Sequence, residues 1–183
     1  MGVHHLAFAT KDLQANHRFY TEAMGFELVK VEVGKMGKGW AKHLFYSTGS
    51  TRDQMIAFWD LHDPSLGEWS ADISRGQGLP VGINHLAFSA DDLDDLARRK
   101  ERWLAGGHDV MEIDHDWCVS VYTTDPNGIL VEFSTLTRDF TAADRAEAQA
   151  LLADPAPTLR RDPKSVVIHK AADWAAAKRS AAA

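Results

Sequence analysis

The chain is short of several things. It has a single cysteine, Cys118, in 183 residues. No disulfide can form within it, and nothing in its cysteine usage points to an oxidising compartment. Cys118 is expected to be a small buried apolar residue. There is no block of basic residues, and the net charge is −6. That balance argues against nucleic acid and anionic membranes as partners. No apolar run approaches the ~20 residues that span a bilayer. The first residues enter a strand pattern without the charged-then-apolar plan of a secretory signal, so a cytoplasmic location is expected. Apolar content of 45% and charged content of 25% are ordinary for a globular protein. The length suits one domain with a real core, or two small modules sharing one. Nine histidines keep metal chemistry open.

What is present is a strand written twice. Residues 3–13 read VHHLAFATKDL and residues 83–93 read INHLAFSADDL. Aligned without a gap, His5 falls on His85, and Asp12-Leu13 falls on Asp92-Leu93. The same order of elements follows each copy. In the first, Asp12 caps a helix over 13–24 that Gly25 ends, and strands follow at 26–33, 40–47 and 54–60, with a flexible turn at 34–39. In the second, a helix runs from Asp92 to about Ala105, and strands follow at 108–113, 117–123 and 129–134. The turn before the last strand is Asp125-Pro126-Asn127-Gly128.

The fold expected is α+β: two paired βαβββ modules, with a C-terminal helical extension. The boundaries are 1–62 for the first module and 83–137 for the second. Residues 63–82, rich in glycine and proline, are a linker or a lid over the site. Residues 138–183 are a helical tail, with Thr141 as a cap and an Ala-rich end containing Trp174. The apolar side of that end must be covered by its own domain or by a second subunit.

Three residues carry the chemistry. His5 and His85 take the same strand position in the two copies. Glu132 sits in the apolar strand ILVEFST, on one face with Leu130 and Ser134. A lone carboxylate there is costly to bury unless a cation meets it. Two imidazoles and one carboxylate leave three positions of an octahedral metal open. That set suits non-haem Fe(II), with Mn(II) or another divalent metal as alternatives.

On these residues the chain resembles the vicinal oxygen chelate superfamily, which includes glyoxalase I, bleomycin-resistance proteins, methylmalonyl-CoA epimerase and type I extradiol dioxygenases. The resemblance covers residues 3–137 and implies that the two modules form a cupped mixed sheet around a metal site. Residues 113–132 are similar to the signature of the extradiol ring-cleaving branch: His115, then Val121-Tyr122, then Asp125-Pro126-Asn127-Gly128, then Glu132. The resemblance implies that His5, His85 and Glu132 hold Fe(II). It also implies that His115 and Tyr122 lie beside a bound catechol-like diol that O₂ cleaves, and that the protein is a homodimer.

One departure stands out. The branch has a further acid–base histidine in the fourth strand of the module carrying the first ligand. Here Gln54 is near that place, and His43, one strand earlier, is the candidate substitute. Two other functions compete with the dioxygenase. A glyoxalase or epimerase is one, and its usual fourth ligand is missing if Phe58 mirrors Glu132. A non-catalytic small-molecule-binding protein of the bleomycin-resistance type is the other. Trp40, Trp59, Trp69 and Trp117 are candidates for the wall of an aromatic pocket, but most are read as core residues.

Overall fold

The computed structural model describes residues 3–49, 54–158 and 163–181. Each half of the chain builds one sheet. The first contains β1 (His5–Thr10), β2 (Glu27–Met36), β3 (Gly39–Ser47) and β4 (Met55–His62), in the order β1-β4-β3-β2. The second contains β5 (His85–Ser89), β6 (Val110–Asp114), β7 (Cys118–Thr124), β8 (Leu130–Leu136) and a further strand, β9 (Ser165–His169), in the order β5-β8-β7-β6-β9. The β1–β4 and β5–β8 pairs are parallel and the others antiparallel, so both sheets are mixed. Beyond β8 lie helices and β9, so two βαβββ modules are followed by a C-terminal extension.

The repeated Asp-Leu pair starts a helix in both modules, for the same reason. In α1 (Leu13–Arg18) the Asp12 carboxylate accepts from the Ala15 amide at 2.9 Å. In α2 (Leu93–Ala105) Asp92 accepts from the Asp95 amide at 2.7 Å. Each occupies an orphan donor of the first turn. Helix α1 continues as one wide π turn over Phe19–Ala23, which turns Phe19, Tyr20 and Ala23 into the core. Gly25 then adopts φ +73°, a conformation that disfavours side chains. The expected loop at 34–39 shrinks to Gly37 and Lys38, because β2 runs on to Met36 and pairs it with Gly39.

Alternation gives each sheet a helix face and a free face. Phe8, Ile56, Phe58, Leu44 and Tyr46 face the helix side, and the Tyr20 and Phe58 rings are 4.5 Å apart. Leu86, Phe88, Val131, Phe133 and Val121 join Leu96, Trp103 and Leu104 of α2 in the same core. Phe26 joins the modules, its ring 5.1 Å from Phe88. Polar groups tie them as well. The Tyr20 hydroxyl donates to Asp125 at 3.0 Å, and the Thr10 hydroxyl donates to Asn127 at 2.7 Å. Asn127 in turn donates to Asn16 at 2.8 Å. The Asp-Pro-Asn-Gly turn is therefore the clasp between the halves. Burial pushes the Asp125 carboxyl above the usual carboxylate range.

The segment between the modules folds back on both. Its single 3-10 turn, Arg75–Gln77, is led by Asp72, which accepts from the Ser74 and Arg75 amides. The Ser74 hydroxyl donates to the Asn84 carbonyl at 3.0 Å. Trp69 lies under the Lys11 ammonium at 4.9 Å.

The tail contains the expected helices, α3 (Ala142–Ala153) and α4 (Ala171–Ala181). Between them β9 pairs antiparallel with β6, which the sequence reading did not anticipate. Its signal was the β-branched run Val166-Val167-Ile168. Helix α4 packs on α2, with Trp174 against the core, so its own domain covers the Ala-rich end. Helix α3 buries no side chain and is held at its start. The Arg138 guanidinium forks onto Asp144 at 2.9 Å, and Thr141 and Asp144 form a reciprocal cap. Thr141→Ala is expected to cost α3 about 1 kcal/mol. Hydrogen exchange should speed up in residues 142–153 while the global melting temperature stays unchanged.

Candidate metal centre

Register decides which residues share the free face of the second sheet. Leu130 pairs with His85, Glu132 with both Ala87 and Tyr122, and Tyr122 with Met111. His85, Glu132 and Tyr122 are thus neighbours on one face. His85 Nε2 lies 3.2 Å from the Glu132 carboxylate. Glu132 is buried, with 6% exposure, while His85 is open to solvent.

The His85 ring is oriented from behind. Its Nδ1 faces the carbonyls of Gly82 at 3.1 Å and Ile83 at 3.4 Å. Carbonyls only accept, so Nδ1 carries a proton. In a neutral ring Nε2 then presents a lone pair to a carboxylate that also presents lone pairs. That contact needs a cation between the groups, either a proton or a metal ion. A ring nitrogen anchored on backbone carbonyls is also how metal-binding imidazoles are held. His85 and Glu132 are therefore two donors of a kind that suits a divalent metal.

Tyr122 and His115 complete this half of the site. The Tyr122 hydroxyl is 3.0 Å from His115 Nε2, from the loop between β6 and β7. Burial, followed by the negative charge of Glu132, pushes the Tyr122 phenol up to about 12, and a hydrogen bond with Ser120 offsets part of this. The phenol stays protonated and can donate.

His5 and His43 sit on the free face of the first sheet. The His5 ring centroid is 6.4 Å from that of His43 and 5.6 Å from that of Phe45. His43 is buried and stacked on Trp59 at 3.7 Å, with its Nε2 lacking a hydrogen-bond partner. Burial and the nearby His5 lower its pKa, so it is neutral at neutral pH. Gln54 precedes β4, and its carbonyl accepts from the Thr48 amide. His4 precedes β1, and its Nδ1 lies 2.7 Å from Nδ1 of His5.

The structure thus groups the candidates into two sets. His85, Glu132, Tyr122 and His115 form one, and His5 and His43 the other. Among the described residues no three His, Cys, Asp or Glu side chains are gathered tightly enough to hold a metal. β1 and β5 are both sheet edges, and a cleft of about 600 Å³ opens between the modules, lined by Leu6 and Met55 on one side and Ala87 and Phe88 on the other.

Two details of the sequence reading change. The residue that mirrors Glu132 is Ala57, not Phe58. Ala57 pairs with Ala7 as Glu132 pairs with Ala87, whereas Phe58 matches Phe133 and points into the core. The four tryptophans are not core residues either. Trp40 stacks on His62 and Trp117 packs beside Phe140, each about 40% exposed, and Trp59 lies flat on His43. The buried one is Trp103. Trp59 is the cross-strand partner of His43. Cys118 is buried, as expected.

With this geometry in hand, the comparisons are direct. The model of the glyoxalase/bleomycin resistance protein/dioxygenase superfamily matches residues 2–133. The chain belongs to that superfamily. Its members typically bind divalent metals and small-molecule substrates, and often form dimers. One relative is 3-methylcatechol 2,3-dioxygenase of Pseudomonas putida, 24% identical over 143 residues. The alignment covers 76% of this chain but 44% of that enzyme, so the chain spans less than half its relative's length. A glyoxylase/bleomycin resistance protein/dioxygenase domain from Frankia sp. EAN1pec superposes with a TM-score of 0.58 at 21% identity, covering 74% of this chain and 98% of that one. Lactoylglutathione lyase from Agrobacterium tumefaciens superposes with a TM-score of 0.50 at 27% identity, covering 73% and 92%. Among the described residues no helix is long and apolar enough to cross a membrane.

Proposed function

We propose that this superfamily member is an Fe(II)-dependent extradiol dioxygenase acting on a catechol-like diol, with a site completed by two copies of the chain. The observation that carries the metal site is the 3.2 Å approach of His85 Nε2 to buried Glu132, with Nδ1 already committed to backbone carbonyls. His115 beside Tyr122, and the 24% identical dioxygenase, support the branch. The lyase alternative is disfavoured, because Ala57 supplies no fourth ligand.

His85 and Glu132 hold the metal from one sheet, and His5 supplies the third ligand. The modules cannot readily rotate to bring His5 there, since the Asp125 clasp and the Phe26 contacts lock them. A second copy can bring its own His5, with His43, against the open face. When bound, iron supplies a Lewis acid that acidifies a chelated diol and a path for electrons to dioxygen. The protein's part is to place protons. Tyr122 donates from its phenol to a diol oxygen, and His115, when protonated at Nε2, replaces the proton that the phenol gives up. His43, neutral and with a free buried Nε2, is the base that meets the second hydroxyl.

Mixing tests the shared site. His5→Ala and Glu132→Ala chains should each be inactive towards catechols. Unfolded and refolded together, they should regain about a quarter of wild-type O₂ uptake, since half the dimers are mixed and each carries one intact site. No recovery on mixing would mean that each chain builds its site alone. No uptake by iron-loaded wild type across a catechol panel would remove the dioxygenase reading altogether.

A further inference from the structure

β9 adds a fifth strand to the sheet that holds His85 and Glu132, and it does so outside the residues matched by the superfamily model. The register places it in line with the site. Ala87, Glu132, Tyr122, Met111 and Ile168 form one lateral row across the five strands. Ser89, Ser134, Ser120, Ile113 and Val166 form the next. Paired residues project to the same side of a sheet, so both rows lie on the free face.

Polarity changes along these rows. The end near β5 and β8 carries the candidate ligand Glu132 and the hydroxyls of Tyr122, Ser120 and Ser134. The end at β6 and β9 carries Met111, Ile113, Val166 and Ile168, with no polar side chain between them. Val166 and Ile168 are 53% and 54% exposed. β-branched residues that open are commonly covered by something apolar. Between Tyr122 and this end, a cleft of about 470 Å³ is lined by Tyr122, Thr124, Leu130 and Met111. From Tyr122 to Ile168 is two strand spacings, about 10 Å.

We propose that β9 is a specificity wall, and that the substrate is a diol with an apolar alkyl or aryl substituent lying across Met111 and Ile113 onto Val166 and Ile168. The proposal rests on the reading of the site given above. The head binds at His85 and Glu132 through its oxygens. The tail follows the row away from the metal and is desolvated on β9. The β-branched side chains, stiff at χ1, present a fixed surface and lose little freedom when covered.

The test is binding rather than turnover. Protein loaded with Zn(II), which does not oxidise the ligand, is titrated calorimetrically with catechol and with 3- and 4-alkylcatechols from methyl to hexyl. In at least one of the two series, affinity is expected to rise about two- to fourfold per methylene. In Ile168→Ser and Val166→Ser that rise should flatten, while unsubstituted catechol binds as in wild type. Val167→Ser is the control: the residue is on the same strand but points to the other face, and the chain-length dependence should persist. A flat response in both series with wild type overturns the wall. So does an equal loss in Val166→Ser and Val167→Ser, which would mark β9 as a stabilising strand or a subunit contact. If catechol itself fails to bind the metal-loaded protein, it is the underlying site reading that falls.

Discussion

Glu132→Ala is expected to leave purified protein with less than about a tenth of the metal that wild type binds under the same conditions. Removing even a residue that merely supports a metal ligand weakens binding about 10- to 100-fold, so losing the ligand lies at or beyond the upper end. The geometry says why Glu132 matters most. Among the described residues it is the carboxylate paired with His85, and its charge would neutralise part of a bound metal's own in a buried place. His85→Ala should have a comparable effect. Tyr122→Phe keeps both ligands and should keep metal content, while lowering the rate by removing the phenol proton. Elemental analysis beside O₂ uptake separates the two classes. Stoichiometric metal in Glu132→Ala would show that Glu132 pairs only with protonated His85.

The second large effect is on stability. Asp125→Ala should lower the unfolding free energy by about 2–4 kcal/mol, because four hydrogen bonds end on that buried carboxylate. They come from the Asn127 and Ile129 amides, the Asn127 side chain and the Tyr20 hydroxyl. Tyr20 is wholly buried and would be left without its acceptor. For a chain of this size the melting temperature should fall roughly 5–12 °C. The variant's failure to shift would mean that water replaces the carboxylate.

The same group carries a pH signature. Unfolded, the Asp125 carboxyl titrates near 3.9. Folded, burial holds its pKa higher, so the native chain binds the proton more tightly. Its contribution favours folding most below about pH 3.9 and declines as pH rises through the folded pKa. Asp125→Asn has no such titration. Denaturation across that range should show wild type losing stability relative to Asp125→Asn as pH rises.

The repeat VHHLAF and INHLAF, with Asp12 and Asp92 as caps, was enough to set two modules of the same element order. Those signals are local: strand alternation and an N-cap are decided within a few residues. Two other features depended on pairing across the sheet. A one-residue shift exchanges the faces of a strand, which is why Ala57 rather than Phe58 proved to mirror Glu132. β9 was hidden for a related reason. Five β-branched-rich residues become a strand only when β6 offers an edge, and they lie some fifty residues further along the chain.

The sequence by itself determined the candidate ligands, His5, His85 and Glu132, because the duplication marks two of them and an apolar strand isolates the third. It also marked His115, Tyr122 and the turn at Asp125. Only the tertiary structure decided how they group. It placed His85 against Glu132 and Tyr122 against His115, and it left His5 and His43 on the other sheet. The physical reason lies in the clasp. The chain spends its strongest inter-module contacts, Asp125 to Tyr20 and Phe26 to Phe88, on joining the helix sides of the modules. Both free faces, each with part of the proposed site, therefore stay open.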